Sequence, residues 1–168
     1  MWNLVGMLFL LLSTVCLAES RVLEIPDQGW KVQFDAPSTV KIKETNNPSQ
    51  YYYLGNADRF NLSLIVEAPT CEGGSSVEAF LQCILPKFKS TPGLVKEPLV
   101  TKSDTGAVQV IYLTYVPFKD SLIKVMNTHM LFSYRGKWGD LHASVIKPTP
   151  EEFKMLLSIG NSFSYSDI

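Results

Sequence analysis

Apolar residues recur at every second position along most of this chain, and in two places the period lengthens to that of a helix. Val32 and Phe34 alternate with Lys31, Gln33 and Asp35, while Val40 and Ile42 stand between Lys41 and Lys43. Each run predicts a strand with one buried face. The first half of the chain thus reads as strands over Val22–Ile25, Trp30–Asp35, Thr39–Thr45, Gln50–Leu54 and Arg59–Glu67. Pro26-Asp27-Gln28-Gly29, Asn46-Asn47-Pro48-Ser49 and Gly55-Asn56-Ala57-Asp58 supply turns between them.

Gly73-Gly74 then breaks the pattern, and Ser75-Ser76-Val77-Glu78 has the capping-box form that opens a helix. Val77, Phe80, Leu81, Ile84 and Leu85 share one helical face, and Pro86 is expected to end or kink the element. Beyond a Ser90–Pro98 loop come three long strands, Leu99–Ser103, Ala107–Val116 and Leu122–Tyr134, connected by Asp104-Thr105-Gly106 and Pro117–Ser121. Arg135-Gly136 is a two-residue hairpin loop that leads into Lys137–Lys147. A second helix starts at Thr149-Pro150-Glu151-Glu152, buries Phe153, Leu156, Leu157 and Ile159, and closes at Gly160 before a final extended piece, Asn161–Ser166. The fold class expected is α+β: a large, mostly antiparallel sheet packed by two main helices.

The Arg135-Gly136 loop fixes a register. It sets Tyr134 opposite Lys137, and therefore His129 opposite His142, Asn127 opposite Ser144 and Leu131 opposite Asp140. The other face then carries Met126, Thr128, Met130 and Phe132 against Val145, Ala143, Leu141 and Gly139. One face is apolar and the other polar, as a half-buried sheet requires.

Several of these pieces occur together in a known family. The opening Gly29-Trp30-Lys31-Val32-Gln33-Phe34-Asp35-Ala36-Pro37 segment, the helix near 76–88, and the ending with Trp138, Thr149-Pro150-Glu151-Glu152-Phe153 and Ser162-Phe163 resemble the Mog1/PsbP-like family of small α-β-α domains. That resemblance implies an α/β/α sandwich and an accessory or binding protein with partners that differ among members. It assigns no role to a particular residue.

The chain's beginning changes the picture from fold to address. Trp2 to Ala18 carries no Lys, Arg, Asp or Glu, and small residues at Cys16 and Ala18 suit the pockets of a signal peptidase. The reading is a signal peptide over 1–18, cleaved after Ala18, with one α+β domain over 19–168 that is secreted or periplasmic. Two alternatives stay open: an uncleaved membrane anchor through residues 2–18, and lipidation at Cys16. After cleavage no stable membrane span is expected. Cys71 and Cys83 would remain as an even pair in an oxidising compartment, which reads as a disulfide worth roughly 3 kcal/mol for a loop of about 13 residues.

Composition removes one class of partner. With 15 Lys and Arg against 16 Asp and Glu, the net charge is −1, and no basic stripe exists for nucleic acid. The remaining chemistry gathers on the polar hairpin face. The chain has only two histidines, and the register puts both of them side by side. Two imidazoles with Cβ atoms about 5 Å apart can share a zinc or copper ion, with Asp140 as third ligand. Ordinary sheet-face histidines, a polar binding pocket and a pH-sensitive pair compete with that reading. Asp140, His142 and Ser144 also line one strand face, but alternate residues stand about 6.5 Å apart and parallel, too far for a hydrolase relay. There is no Gly-x-Ser-x-Gly elbow either. The function expected is therefore non-enzymatic binding of a protein or small ligand, with no catalytic residue and no cofactor. The alternative is a metal-binding protein or metal-dependent enzyme built on His129 and His142.

Overall fold

Most alternating runs become strands because every second side chain finds an apolar layer to enter; the edge run Val40–Asn47 pairs but is exposed throughout, so Val40 and Ile42 form no buried face. A computed structural model describes residues 18–168; the leader expected over 1–18 lies outside the described residues but for Ala18. The elements are β1 (Glu19–Ile25), β2 (Trp30–Ala36), β3 (Val40–Asn47), β4 (Gln50–Ala57), β5 (Phe60–Glu67), α1 (Val77–Lys89), β6 (Leu99–Lys102), β7 (Val108–Phe118), β8 (Ser121–Tyr134), β9 (Lys137–Ile146), α2 (Pro150–Ser162) and β10 (Ser164–Asp167). Seven strands form one sheet in the order β3-β4-β5-β9-β8-β7-β6, and β1, β2 and β10 form a second, three-stranded sheet. All pairings are antiparallel, so the α+β class and the two helices stand.

The first hairpin does not extend the large sheet. It lies across one face of that sheet together with β10 and α2. Face-to-face packing seals Trp30, Val32, Phe34 and Ala36 of β2 completely from solvent, among Tyr51, Tyr53, Leu62, Leu64, Phe132 and Leu141. Joining the sheet edge would give those alternate side chains no facing layer. α2 enters the same core through Leu156 and Ile159, but Phe153, in the first turn, is 44% exposed rather than buried, and the helix passes Gly160 to end at Ser162. Its start is the capping box read from the sequence: the Glu152 amide donates to Thr149 Oγ1 at 3.2 Å, and the Thr149 amide donates to Glu152 Oε2 at 2.7 Å. Arg59 anchors that turn by donating to Glu152 Oε1 and to the Lys147 carbonyl, each at 2.7 Å.

α1 packs on the opposite face of the large sheet. Its cap is Ser76, whose Oγ accepts from the Ala79 amide, so the capping box expected from Ser75 to Glu78 does not form. The Ser75 carbonyl instead accepts from Ser133 Oγ, and Glu78 pairs with Lys102 at 3.1 Å. Nor does Pro86 end the helix, which runs on to Lys89. Pro86 and Gln82, whose carbonyl loses its partner, are both exposed, so water can take up that carbonyl. Phe88, just past the proline, is buried against the sheet and holds the last turn down.

The β8–β9 register is the one the two-residue loop demands: Tyr134 faces Lys137 and His129 faces His142. Arg135 and Gly136 both take positive φ, 49° and 74°, as such a loop requires. On the core face Gly139 faces Phe132, and a Cβ there would stand 2.0 Å from Phe132 Cζ; the ring needs the space that glycine leaves. The β7–β8 connection is shorter than the expected Pro117–Ser121. The ladder continues through Pro117 opposite Leu122 and Phe118 opposite Ser121, leaving Lys119-Asp120 as the turn. Proline is tolerated because β6 ends its pairing at Ile111, so Pro117 has no neighbour on that side to bond. Among the described residues no helix is long and apolar enough to cross a membrane.

Candidate functional site

The polar hairpin face lies beneath α1. Phe80 stacks on Trp138 with centroids 4.7 Å apart, and Phe88 covers Tyr112 at 5.6 Å and His129 at 4.6 Å. Inside this cover three strands contribute two hydrogen-bonded chains, joined by the stacked rings of His129 and His142. The two oxygens of Asp140 lie 2.9 and 3.0 Å from His129 Nδ1, and Tyr112 Oη lies 3.2 Å from His129 Nε2. In the neutral ring the ionised carboxylate holds the proton on Nδ1, so Nε2 accepts from the tyrosine hydroxyl. His142 Nε2 donates to Asn127 Oδ1 at 3.1 Å, and Asn127 donates on to Thr114 Oγ1 at 3.5 Å.

The two histidines are brought together as the register predicts, but as stacked plates. Their centroids are 4.2 Å apart and their planes 9° from parallel. Lone pairs lie in the ring planes, so two parallel rings do not aim nitrogens at one shared ion. Asp140 is spent on His129 Nδ1 and does not stand as a third ligand to both rings. Among the described residues no three His, Cys, Asp or Glu side chains gather as a metal-holding group. To take zinc or copper, this cluster would first have to break its hydrogen bonds and turn a ring.

Charge is unwelcome here. Burial, reinforced by the neighbouring His129, lowers the His142 pKa from 6.5 to about 3, while Asp140 pulls weakly the other way. Burial, with the Asp140 charge behind it, raises Tyr112 to about 12. Asp140, His129 and Tyr112 follow the order acid, imidazole, hydroxyl that a relay would use. Yet the hydroxyl at its end is held in its protonated form and roofed by Phe88, the reverse of an activated nucleophile. Asp140, His142 and Ser144 form no relay along their own strand: Asp140 turns to His129 and His142 to Asn127. Tyr112 and Phe88 are the members that sequence reasoning missed as partners of His129. In the sequence Tyr112 is only one position of the strand expected over Ala107–Val116.

No protein-family model matches the chain, and no curated protein sequence does. Among solved structures it is similar to the crystal structure of LpqN, involved in cell envelope biogenesis of Mycobacterium tuberculosis. The TM-score is 0.50 at 11% identity, over 89% of this chain and 91% of that one. The likeness is one of fold.

Beside the cluster the same sheet face opens. α1 covers β7, β8 and part of β9, whereas Tyr52, Leu54, Ser63 and Ile65 of β4 and β5 stay half-exposed on that side. His142 lies at the boundary, opposite Ser63, and Lys43 of the edge strand reaches over the Tyr52 ring at 5.8 Å. Cys71 and Cys83 are bonded with Cα atoms 6.1 Å apart, tying the loop before α1 to the helix's second turn. A separate cleft of about 230 Å³ runs between Lys102–Thr105 and Gly160–Phe163, remote from the histidines.

Proposed function

We propose that this chain is an exported, non-enzymatic accessory or binding protein of the cell envelope or extracellular space. It holds a protein or small ligand on the open half of the α1-side sheet face. The observation that carries the reading is the unequal cover of the large sheet. One face is closed by α2 and a second sheet, while the other leaves Tyr52, Leu54, Ser63 and Ile65 half-exposed beside a rigid, disulfide-tied helix. A flat patch of tyrosine, aliphatic and hydroxyl side chains on rigid strands is the composition of a recognition surface. The buried array beneath α1 stiffens the edge of that surface.

The secretory setting rests on the uncharged stretch from Trp2 to Ala18 and on the paired Cys71 and Cys83. Among the described residues the first strand begins at Glu19, directly after the expected cleavage point. LpqN's description as involved in cell envelope biogenesis agrees with that setting. Membership of the Mog1/PsbP-like family belongs to this proposal, supported by a helix on each face of the large sheet.

A photo-crosslinker at Leu54 tests the reading, with a matched probe at Lys154 on the exposed side of α2 as control. Expected are discrete adducts from Leu54 alone when the protein is held in its native compartment. Equal adducts from both sites, or none, would overturn the surface assignment. The competing metal reading is checked by calorimetry with zinc and with copper(II). Saturable heat that disappears in the His129→Ala, His142→Ala protein would replace the proposal with a metal site.

A further inference from the structure

The β7–β8 hairpin outgrows the sheet that supports it. On one side β9 stops at Ile146 opposite Val125, and the last backbone tie is the Lys147 amide donating to the Lys124 carbonyl at 2.8 Å. On the other, β6 stops at Leu99 opposite Ile111, and the loop after α1 follows β7 only until the Tyr115 amide donates to the Gly93 carbonyl at 2.9 Å. Val116–Phe118 and Ser121–Ile123 therefore continue as a bare two-stranded ribbon for about 10 Å. Such a ribbon gains little stability by itself, and Phe118 and Leu122 at its end build no core.

Ile123 is buried, but the other apolar side chains of the ribbon and of its root face outward. Phe118 is 55% exposed, Leu122 67%, Tyr115 43% and Val116 37%, and they occupy both faces of the ribbon. Lys119 and Lys124 flank them on the hairpin beside Asp120, and Lys147 is tied to its root through the Lys124 carbonyl, on a protein of net charge −1. Lys119 lies over the Phe118 ring at 5.7 Å.

We infer that this hairpin end is a membrane-contact element that dips Phe118 and Leu122 into a bilayer surface bearing anionic headgroups. The form of the projection decides between occupants. A stable protein interface needs about 800 Å² from each partner, which four side chains on a narrow convex tip do not offer. A bilayer accepts a small convex wedge, rewards aromatic and aliphatic side chains at its interface, and attracts lysines that reach the headgroups. The contact is peripheral and leaves the open sheet face free, so it stands or falls apart from the ligand surface.

The test uses the purified protein with phosphatidylcholine vesicles, with and without phosphatidylglycerol. Expected is sedimentation with the anionic vesicles that weakens as salt is raised, and a fall of at least about tenfold in affinity for Phe118→Ser, Leu122→Ser. Both residues are exposed, so the variant should keep its circular dichroism spectrum. An environment-sensitive dye on Ser121→Cys should shift to the blue on binding, and the same dye on Ser49→Cys, at the opposite end of the sheet, should not. Absence of binding, equal binding to neutral vesicles, or a Ser121 dye that stays in water would overturn the inference. So would a self-associated form in solution that the double variant dissolves, because the patch would then belong to a second copy.

Discussion

Replacing His142 by phenylalanine should reverse the order of stability of the two proteins between pH 7.5 and pH 5. The wild-type ring is held neutral, its pKa lowered from 6.5 to about 3 by burial and by His129 beside it. The unfolded chain binds a proton there that the folded chain refuses. Stability therefore starts to fall as pH drops past 6.5 and goes on falling towards 3. At pH 5 the loss from this one group is about 2 kcal/mol relative to pH 7.5. Phenylalanine keeps a flat ring against His129 and has nothing to protonate, but it leaves Asn127 Oδ1 without its donor. That costs about 1 kcal/mol at neutral pH. Wild type should thus be the more stable at pH 7.5 by about 1 kcal/mol and the less stable at pH 5 by a similar amount, the curves crossing near pH 6. Urea unfolding at half-unit pH steps reads this directly. Groups remote from the altered ring titrate in both proteins and cancel in the difference. Two parallel curves would refute the claim that His142 is buried and neutral.

Gly139→Ala should cost about 2–3 kcal/mol, because its Cβ meets the fully buried Phe132 ring at 2.0 Å and neither partner can yield; a urea midpoint within error of wild type would contradict that contact. Serine at both Cys71 and Cys83 should lower stability by roughly 3 kcal/mol, with reductant then affecting wild type alone. A double-mutant cycle between Tyr112→Phe and His129→Gln should return a coupling of about 1 kcal/mol, and additive effects would place the two side chains on different faces.

How far the site could be read ahead of the structure depended on turn length. Arg135-Gly136 admits one register, and that register set His129 against His142 with the apolar and polar residues of both strands correctly divided. The period of the apolar residues likewise located both helices, and Thr149 with Glu152 fixed the start of the second. Three features that shape the site were not legible, and in the first two a tertiary contact outweighed the local preference. Phe88 buries itself on Tyr112 and His129 and so carries α1 past Pro86. The first hairpin reads as any amphipathic pair, and only a facing layer to fill sends it across the sheet instead of along its edge.

The third feature is the β7–β8 turn, and it governed the chemistry. A connection over Pro117–Ser121 sets Val116 against Leu122, whereas the ladder sets Val116 against Ile123. Side chains alternate across a strand, so a slip of one residue carries all of β7 to the wrong face relative to β8. In the slipped register Tyr112 faces Met126 in the apolar core; in the real one it faces Asn127 and reaches His129. The alternation within β7 could not correct the error, because Val108, Gln109, Val110 and Ile111 are all buried, and apolar residues crowd both of its faces. A strand covered on both sides loses the two-fold signal that fixes which way each residue points. The tyrosine that completes the histidine array thus became visible only through long-range pairing, and the Tyr112–His129 coupling is the measurement most sensitive to that pairing.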